Sequence, residues 1–212
     1  MFLIGLTGSI GMGKSATARM FAARGAAVHD ADAEVHRLYE GDAVAPIGAA
    51  FPGAVVDGRV DRVELSKLVL GDDAAMKRLE RIVHPLVRAA DRAFLERARA
   101  EGRRFAVAEV PLLFETGGDR RADAVVLVSA DPDIQRERVL ARPGMSEDKF
   151  AAILARQMPD AEKRRRAHFI VDSGNGFPAA EKQVDDILRA LAGCTGTAYA
   201  RRQRQHAAGR QM

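Results

Sequence analysis

Three glycines, a lysine and a serine follow the first apolar run of the chain at a spacing suited to binding an anion. Residues 8–15 read Gly-Ser-Ile-Gly-Met-Gly-Lys-Ser and match the pattern G-x-x-x-x-G-K-[ST] at every constrained position. Glycines permit backbone angles that larger residues avoid, so successive N–H groups can turn toward one phosphate. The run FLIGLTG before the pattern predicts a buried strand, and KSATARMFAARG after it predicts a helix. This order of strand, loop and helix predicts a phosphate-binding loop.

The residue types in this loop indicate a nucleoside triphosphate with a divalent cation. A helix that begins near Lys14 directs its positive dipole end and its free N–H groups at the loop. Lys14 is predicted to reach the β- and γ-phosphates, and the Ser15 hydroxyl is predicted to bind Mg²⁺. We therefore expect ATP as co-substrate and Mg²⁺ as metal ion. The residues expected to hold the nucleotide are Gly8, Gly11, Met12, Gly13, Lys14, Ser15 and Ala16.

Phosphate loops occur in several enzyme classes, and the rest of the chain separates them. GTPases of this kind usually carry an Asn-Lys-x-Asp element, but the only asparagine here is Asn175, within SGNG. A motor-type ATPase needs a longer chain. A small-molecule kinase needs an acceptor subdomain, an acid near the acceptor hydroxyl and an arginine-rich flap, and candidates for all three are present. The sequence therefore favours a kinase.

Acidic residues follow two of the predicted strands. Asp30-Ala31-Asp32 ends the strand AAVHDAD, at the edge where parallel sheets place ligand groups. If the segment is extended, both carboxylates point to the same side, and one could orient and deprotonate an acceptor hydroxyl. We assign the alternative role of helix cap to Asp30, which leaves Asp32 as the base. Glu109 ends the strand FAVAEV and is either a magnesium ligand through water or a structural acid.

The predicted flap is a basic lid at about residues 132–166. It contains nine lysines and arginines and fewer acids, and Pro143 and Gly144 provide a candidate hinge. Phosphoryl transfer needs cations around the developing charge and a site that excludes water, and a closing basic lid supplies both. Most of these cations are expected to be solvated. Arg142, beside the hinge, is the candidate catalytic arginine.

Charge and composition limit the remaining possibilities. The formal net charge is +4, but residues 195–212 contain four arginines and no acid, so residues 1–194 are formally neutral. We expect this basic tail to be disordered and solvated, without a nucleic-acid partner. No apolar run approaches the roughly 20 residues of a membrane span, and no basic leader precedes the first strand. A cytoplasmic protein, monomeric or weakly self-associating, is expected, with Cys194 as an incidental thiol.

The alternation of strands and helices predicts an α/β fold, with a parallel sheet flanked by helices. Residues 1–32 and 105–194 would form a P-loop kinase core that includes the lid, and residues 33–104 a helical acceptor-binding insert. Within that insert, Asp57-Gly58 predicts a turn or a hairpin.

With these residues assembled, the chain resembles the dephospho-coenzyme A kinase family from about residue 2 to residue 191. The segments IGLTGSIGMGKS, DAD, IVHPLVR, EVPLLFE and AHFIVDSG carry the resemblance, and VPLLFE and IVHP discriminate best. It implies transfer of the ATP γ-phosphate to the ribose 3′-hydroxyl of dephospho-coenzyme A, the last step of coenzyme A synthesis. It also implies Asp32 as the base, Lys14 and Arg142 as stabilisers of the phosphoryl group, His84 as a substrate contact and Ser173 in the adenine-side segment.

The chain departs from the family pattern at two of these positions. Ser173 stands where asparagine is common, and Glu109 stands where aspartate is frequent. Two other readings remain: a kinase for another small metabolite or nucleoside, and a nucleotide-sensing module without turnover. RNA binding through the tail would be compatible with kinase activity.

Overall fold

The structure is a computed structural model that describes the backbone of residues 1–208 and the side chains of residues 1–204. The chain divides into two compact units. The first contains Met1–His29 and the chain from Ala98 onward, and the second contains Asp30–Arg97. The second unit thus begins at 30 and ends at 97, whereas the sequence predicted an insert from 33 to 104. In the described part of the chain, no helix combines the length and the apolar character that crossing a membrane requires.

The elements follow one another in a largely alternating order. The strands are β1 (Phe2–Thr7), β2 (Ala27–Asp30), β3 (Val55–Val56), β4 (Arg59–Val60), β5 (Phe105–Glu109), β6 (Ala124–Ser129) and β7 (Phe169–Asp172). The helices are α1 (Lys14–Ala23), α2 (Ala31–Tyr39), α3 (Val44–Ala50), α4 (Arg62–Val69), α5 (Asp73–Ala100), α6 (Pro132–Leu140), α7 (Glu147–Leu154), α8 (Asp160–Arg166), α9 (Gly176–Ala190) and α10 (Ala198–Ala208), with a short 3₁₀ helix at Gly118–Arg121.

The first unit is built on a five-stranded sheet of order β2-β5-β1-β6-β7. β1 pairs in parallel with β5 and β6, and β6 pairs in parallel with β7. Successive side chains of a strand point to opposite faces of the sheet. Val126 belongs to one buried cluster and its neighbour Val125 to another, so both faces of the sheet are covered. The register places Leu6 opposite Glu109, so the carboxyl ends of β1 and β5 coincide. This confirms the predicted α/β fold and brings the ends of two candidate strands to one edge.

The second unit is helical and has its own core. Helices α2 to α5 surround buried residues that include Leu38, Ile47, Phe51 and Leu65. The predicted hairpin is present as β3 and β4, which pair antiparallel. Its turn is Asp57-Gly58, and both residues have the positive φ angles, 49° and 74°, that a two-residue hairpin turn of this twist needs.

The prediction of a disordered tail is wrong for Ala198–Ala208, which form helix α10. Asp123 Oδ1 accepts the N–H groups of Thr197 and Ala198, each at 2.7 Å, which caps the start of α10. Ala198 is fully buried, and the Arg99 guanidinium lies over the Tyr199 ring. Asp123, which is distant in sequence, therefore stabilises the start of the helix that this polar segment forms. Residues 209–212 lie outside the described residues.

Candidate active site

The predicted phosphate loop joins β1 to α1 in a backbone conformation that only glycine adopts readily. Gly11 and Gly13 have φ angles of 78° and 85°. A Cβ atom at Gly8 would lie 2.5 Å from the Val128 carbonyl oxygen, so the loop passes too close to β6 for a side chain. Helix α1 then begins at Lys14, with Gly13 at its N-cap position. Its first N–H groups consequently point toward the loop, as anion binding requires.

Lys14, Ser15 and Glu109 meet at the end of β1 and β5. The Ser15 hydroxyl donates to Glu109 Oε1 at 2.7 Å, and Lys14 Nζ lies 3.3 Å from the same oxygen. The Glu109 side chain is 5% exposed, so this carboxylate is nearly desolvated and held by two donors. The negative charge of Glu109 therefore lies beside both the Ser15 hydroxyl, which is predicted to bind the metal, and the Lys14 ammonium group, which is predicted to bind phosphate.

The hydroxyl oxygen of Ser15 and the carboxylate of Glu109 suit a magnesium ion. Mg²⁺ prefers oxygen ligands, keeps several waters and commonly uses only one or two protein groups together with substrate phosphates. Ser15 Oγ and Glu109 Oε1 are such groups, and they adjoin the loop that would hold the phosphates. Among the described residues there is no cluster of three or more His, Cys, Asp and Glu side chains that could hold a metal by itself.

Ser173 lies against the phosphate loop and is fixed from both sides. Its hydroxyl donates to the Met12 carbonyl at 2.8 Å and accepts from Arg138 Nη1 at 2.9 Å. Arg138 Nη2 donates to the Ser173 carbonyl at 2.8 Å, so the arginine holds both polar groups of the serine. Ser173 thus connects the loop that follows β7 with the phosphate loop, a contact that the sequence did not predict.

A cavity of about 380 Å³ opens beside the phosphate loop. Arg142, the lid arginine proposed from the sequence, lies on its wall together with Ser173 and Ala16. Phe177, whose exposure of 65% is unusual for a phenylalanine, supplies an aromatic face. The full lining is Gly11, Gly13, Ala16, Thr17, Met20, Arg138, Arg142, Ser173, Gly176, Phe177 and Ala180. An exposed ring and two guanidinium groups around a cavity of this size suit a purine nucleoside.

Asp30 and Asp32 take different positions in the second unit. Asp30 Oδ1 accepts the N–H groups of Asp32 and Ala33 at 2.9 and 3.0 Å, which confirms Asp30 as the helix cap. The prediction that the two acids lie on one extended segment is wrong, because helix α2 begins at Ala31, directly after the cap. Asp32 therefore lies in the first turn of α2. Its exposed side chain lines a cavity of about 310 Å³ with Ala33, Val35, His36, Tyr39 and Arg62.

His84 lies elsewhere in the second unit. It is exposed on α5 and lines a cavity of about 760 Å³, different from the one that Asp32 lines. Lys77, Arg81 and Arg88 share that cavity with it, together with Glu80, Ala74 and Pro85. The spacing of these basic residues places them on one helix face, which is a favourable surface for an anionic group.

Sequence reasoning missed Phe177 and the bracing role of Arg138. Arg138 belongs to the predicted lid, and its bonds to Ser173 join residues 35 positions apart. Phe177 follows the glycine-rich SGNG turn, and a large apolar residue at the exposed start of a helix was the available signal.

Comparisons of the sequence with known proteins identify one family. A model of the family described as dephospho-CoA kinase (CoaE) matches residues 2–178. The chain is 60% identical over 197 residues to the dephospho-CoA kinase of Mesorhizobium japonicum, covering 93% of this chain and all of that protein. Among solved structures, TT1252 from Thermus thermophilus is 36% identical with a TM-score of 0.78, covering 92% of this chain and 98% of the other. Dephospho-CoA kinase from Campylobacter jejuni, at 24% identity and a TM-score of 0.66 over 89% and 96% of the two chains, shares the fold. The chain therefore belongs to the dephospho-CoA kinase family.

Proposed function

We propose that the chain transfers the γ-phosphate of ATP to the ribose 3′-hydroxyl of dephospho-coenzyme A through Lys14, Asp32 and Arg142. The observation that carries the proposal is the contact of Ser15 and Lys14 with the nearly buried Glu109 at the phosphate loop. In a member of this kinase family, that contact supports a site for a metal-bound triphosphate.

The nucleotide is proposed to lie along the first unit. Its phosphates would be bound by the N–H groups of residues 8–16 and by Lys14, and its adenosine would occupy the cavity of about 380 Å³. Phe177 offers a surface on which the base can stack. Ser173 would act indirectly, by fixing the Met12 carbonyl of the phosphate loop, because its hydroxyl, its carbonyl and its N–H group are all engaged with the protein.

Ser15 and Glu109 would hold Mg²⁺ beside the phosphate loop. When bound, the ion would neutralise charge that develops on the transferring group. Lys14 would stabilise the same charge once it exchanges its contact with Glu109 for the phosphates. Arg142, on the cavity wall, would add a second cation from the lid.

The second unit is proposed to bind the acceptor. Asp32, exposed in the first turn of α2, would accept the proton of the ribose hydroxyl as that oxygen attacks phosphorus. His84 and the basic face around it would bind a negatively charged part of dephospho-coenzyme A. Both assignments follow the family resemblance and the exposure of these residues.

A cytoplasmic location and a monomeric or weakly self-associating state are also proposed. Nucleic-acid binding is not part of the proposal. Arg201 and Arg202 of the basic tail donate to the carbonyls of Ala122 and Arg121, so two of its cations are engaged with the protein.

A panel of acceptors tests the proposed reaction. Purified protein with Mg-ATP would be offered dephospho-coenzyme A, adenosine, AMP and shikimate separately, and ADP release would be measured. We expect release that depends on dephospho-coenzyme A. Release with another acceptor only would reassign the substrate, and nucleotide binding without release in every case would favour a sensing module.

A further inference from the structure

A lysine that the proposed mechanism does not use is completely buried beneath the phosphate loop. Lys163, in α8, has a side-chain exposure of 0%. Its Nζ lies 3.4 Å from the hydroxyl of Ser9, the second residue of the loop, and Ser9 is itself 5% exposed. Because a buried ammonium group is costly unless it is paired, its position at this loop calls for a physical reason.

The charge partner of Lys163 is Glu115, which follows β5. Their side-chain atoms are 3.0 Å apart, and the Glu115 side chain is 18% exposed. Burial by itself raises the pKa of Glu115, but backbone N–H donors, chiefly that of Met158 at 2.8 Å, and the Lys163 ammonium outweigh it and lower the pKa below its usual value. The carboxylate thus joins Lys163 to the segment between α7 and α8.

That same segment holds the next residue of the phosphate loop. Gln157 Oε1 accepts the N–H of Ile10 at 3.2 Å, and Gln135 Nε2, from α6, donates to the Ile10 carbonyl at 2.7 Å. The start of α8 is fixed to the end of β6, where the Ser129 hydroxyl donates to Asp160 at 2.8 Å. Residues 9 and 10 of the loop are therefore held by side chains that come from the lid region and its flanks.

From this geometry we infer that Lys163 is a positioning residue for phosphoryl transfer, which fixes the phosphate loop through Ser9 while Glu115 balances its charge. The loop binds phosphate through its backbone, so its N–H groups must be oriented before the nucleotide arrives. Ser9 and Ile10 precede the glycines with positive φ, and fixing them sets the direction in which the loop leaves β1. Lys163 acts through Ser9 and Glu115 and is assigned no contact with substrate. The inference rests on the proposed binding of ATP to this loop.

Stability alone does not explain the lysine. A buried ion pair replaced by neutral groups of similar size often leaves the free energy of folding unchanged, whereas removal of one partner is strongly destabilising. A structural role therefore predicts that a balanced double variant recovers both stability and activity. A positioning role predicts that it recovers stability only.

The test compares Lys163→Met, Lys163→Met with Glu115→Gln, and Ser9→Ala with the wild type. Glutamine retains an oxygen that can accept the Met158 N–H. Lys182→Met is the matched control, because Lys182 is 80% exposed and pairs only with Asp186 at the surface in the contacts described. Urea unfolding gives stability, initial rates give kcat and separate KM values for ATP and dephospho-coenzyme A, and a fluorescent ATP analogue gives nucleotide affinity.

We expect the double variant to unfold near the wild-type urea concentration while its KM for ATP rises about tenfold, the size of one charged hydrogen bond. Its KM for dephospho-coenzyme A should stay within about twofold of the wild-type value, well below the tenfold step. Ser9→Ala should also raise the KM for ATP, and adding it to the double variant should change that KM little further, because both changes remove the same contact.

Three results would overturn the inference. One is a folded double variant with the wild-type KM for ATP. A second is an equal rise in both KM values. The third is a Ser9→Ala variant with unchanged nucleotide affinity, and it decides the matter even where the lysine variants do not fold. A wild-type protein without ATP turnover would instead refute the proposed function.

Discussion

Glu109→Gln tests the proposed metal site, because it removes the charge of Glu109 and keeps its size. Ser15 Oγ and Lys14 Nζ lie 2.7 and 3.3 Å from Glu109 Oε1, and both contacts involve an ionised group. If Glu109 holds the ion through a bound water, the amide replaces a charged acceptor of that water with a neutral one. Hydrogen bonds to charged groups contribute about 1.5–3 kcal/mol and neutral ones about 0.5–1.5 kcal/mol, so the expected loss of Mg²⁺ binding free energy is about 1–2 kcal/mol. That loss corresponds to a factor of roughly 5–30 in an equilibrium constant. We therefore expect the Mg²⁺ concentration for half-maximal rate to rise by that factor.

The assay is the initial rate of ADP formation at saturating ATP and dephospho-coenzyme A over a titration of free Mg²⁺. Glu101→Gln is the matched control, because Glu101 makes an ion pair with Arg103 at 3.0 Å with 54% of its side chain exposed. Its Mg²⁺ dependence should equal that of the wild type, since exposed pairs contribute little.

Glu109→Asp separates charge from reach. Shortening the side chain by one methylene group, about 1.5 Å, breaks the direct bond to Ser15 but keeps the carboxylate. If Glu109 acts on the metal through water, this variant should need less Mg²⁺ than Glu109→Gln. An unchanged Mg²⁺ dependence in a folded Glu109→Gln protein would refute the assignment and leave Glu109 as a structural acid.

Three further predictions concern the base, the loop and the last helix. Asp32→Asn should lower kcat by roughly 10² or more with ATP affinity intact, as for loss of a positioned base; near-normal turnover would exclude Asp32 from that role. Gly8→Ala should lower kcat by roughly 10²-fold, because its Cβ would lie 2.5 Å from the Val128 carbonyl and displace the loop. Gly25→Ala, with φ of 85° and open space around it, should cost only about 1 kcal/mol of stability at unchanged kcat, and equal kinetics for the two variants would contradict the steric argument. Asp123→Ala should reduce the free energy of unfolding in urea by about 1–3 kcal/mol, because the N–H groups of residues 3, 197 and 198 lose their acceptor, and an unchanged value would mean that α10 adds no stability.

The features that the sequence predicted well depend on residues close together in the chain. The phosphate loop lies within residues 8–15, and each position has its own steric or chemical requirement. The hairpin depends on the adjacent residues Asp57 and Gly58, and the cap of α2 on Asp30 and the two residues that donate to it. Local rules suffice where the partners are neighbours in sequence.

The features that sequence reasoning missed depend on distant partners. Ser173 contacts Met12 across 161 positions, and Asp123 caps α10 across 74 positions, so neither contact leaves a local pattern. The extended arrangement of Asp30 and Asp32 was wrong because two local rules competed. The capping preference of Asp30 started a helix at Ala31 and ended the strand.

The most direct test of the proposed reaction is the position of the phosphate in the product. Protein with Mg-ATP and dephospho-coenzyme A would be analysed by mass spectrometry and phosphorus NMR, with an acceptor that lacks the ribose 3′-hydroxyl as the control. The proposed reaction yields a product heavier by one phosphoryl group, with a new phosphomonoester on the 3′-oxygen, and no product from the 3′-deoxy acceptor. Phosphorylation of the 3′-deoxy acceptor, or a phosphate on another oxygen, would contradict it.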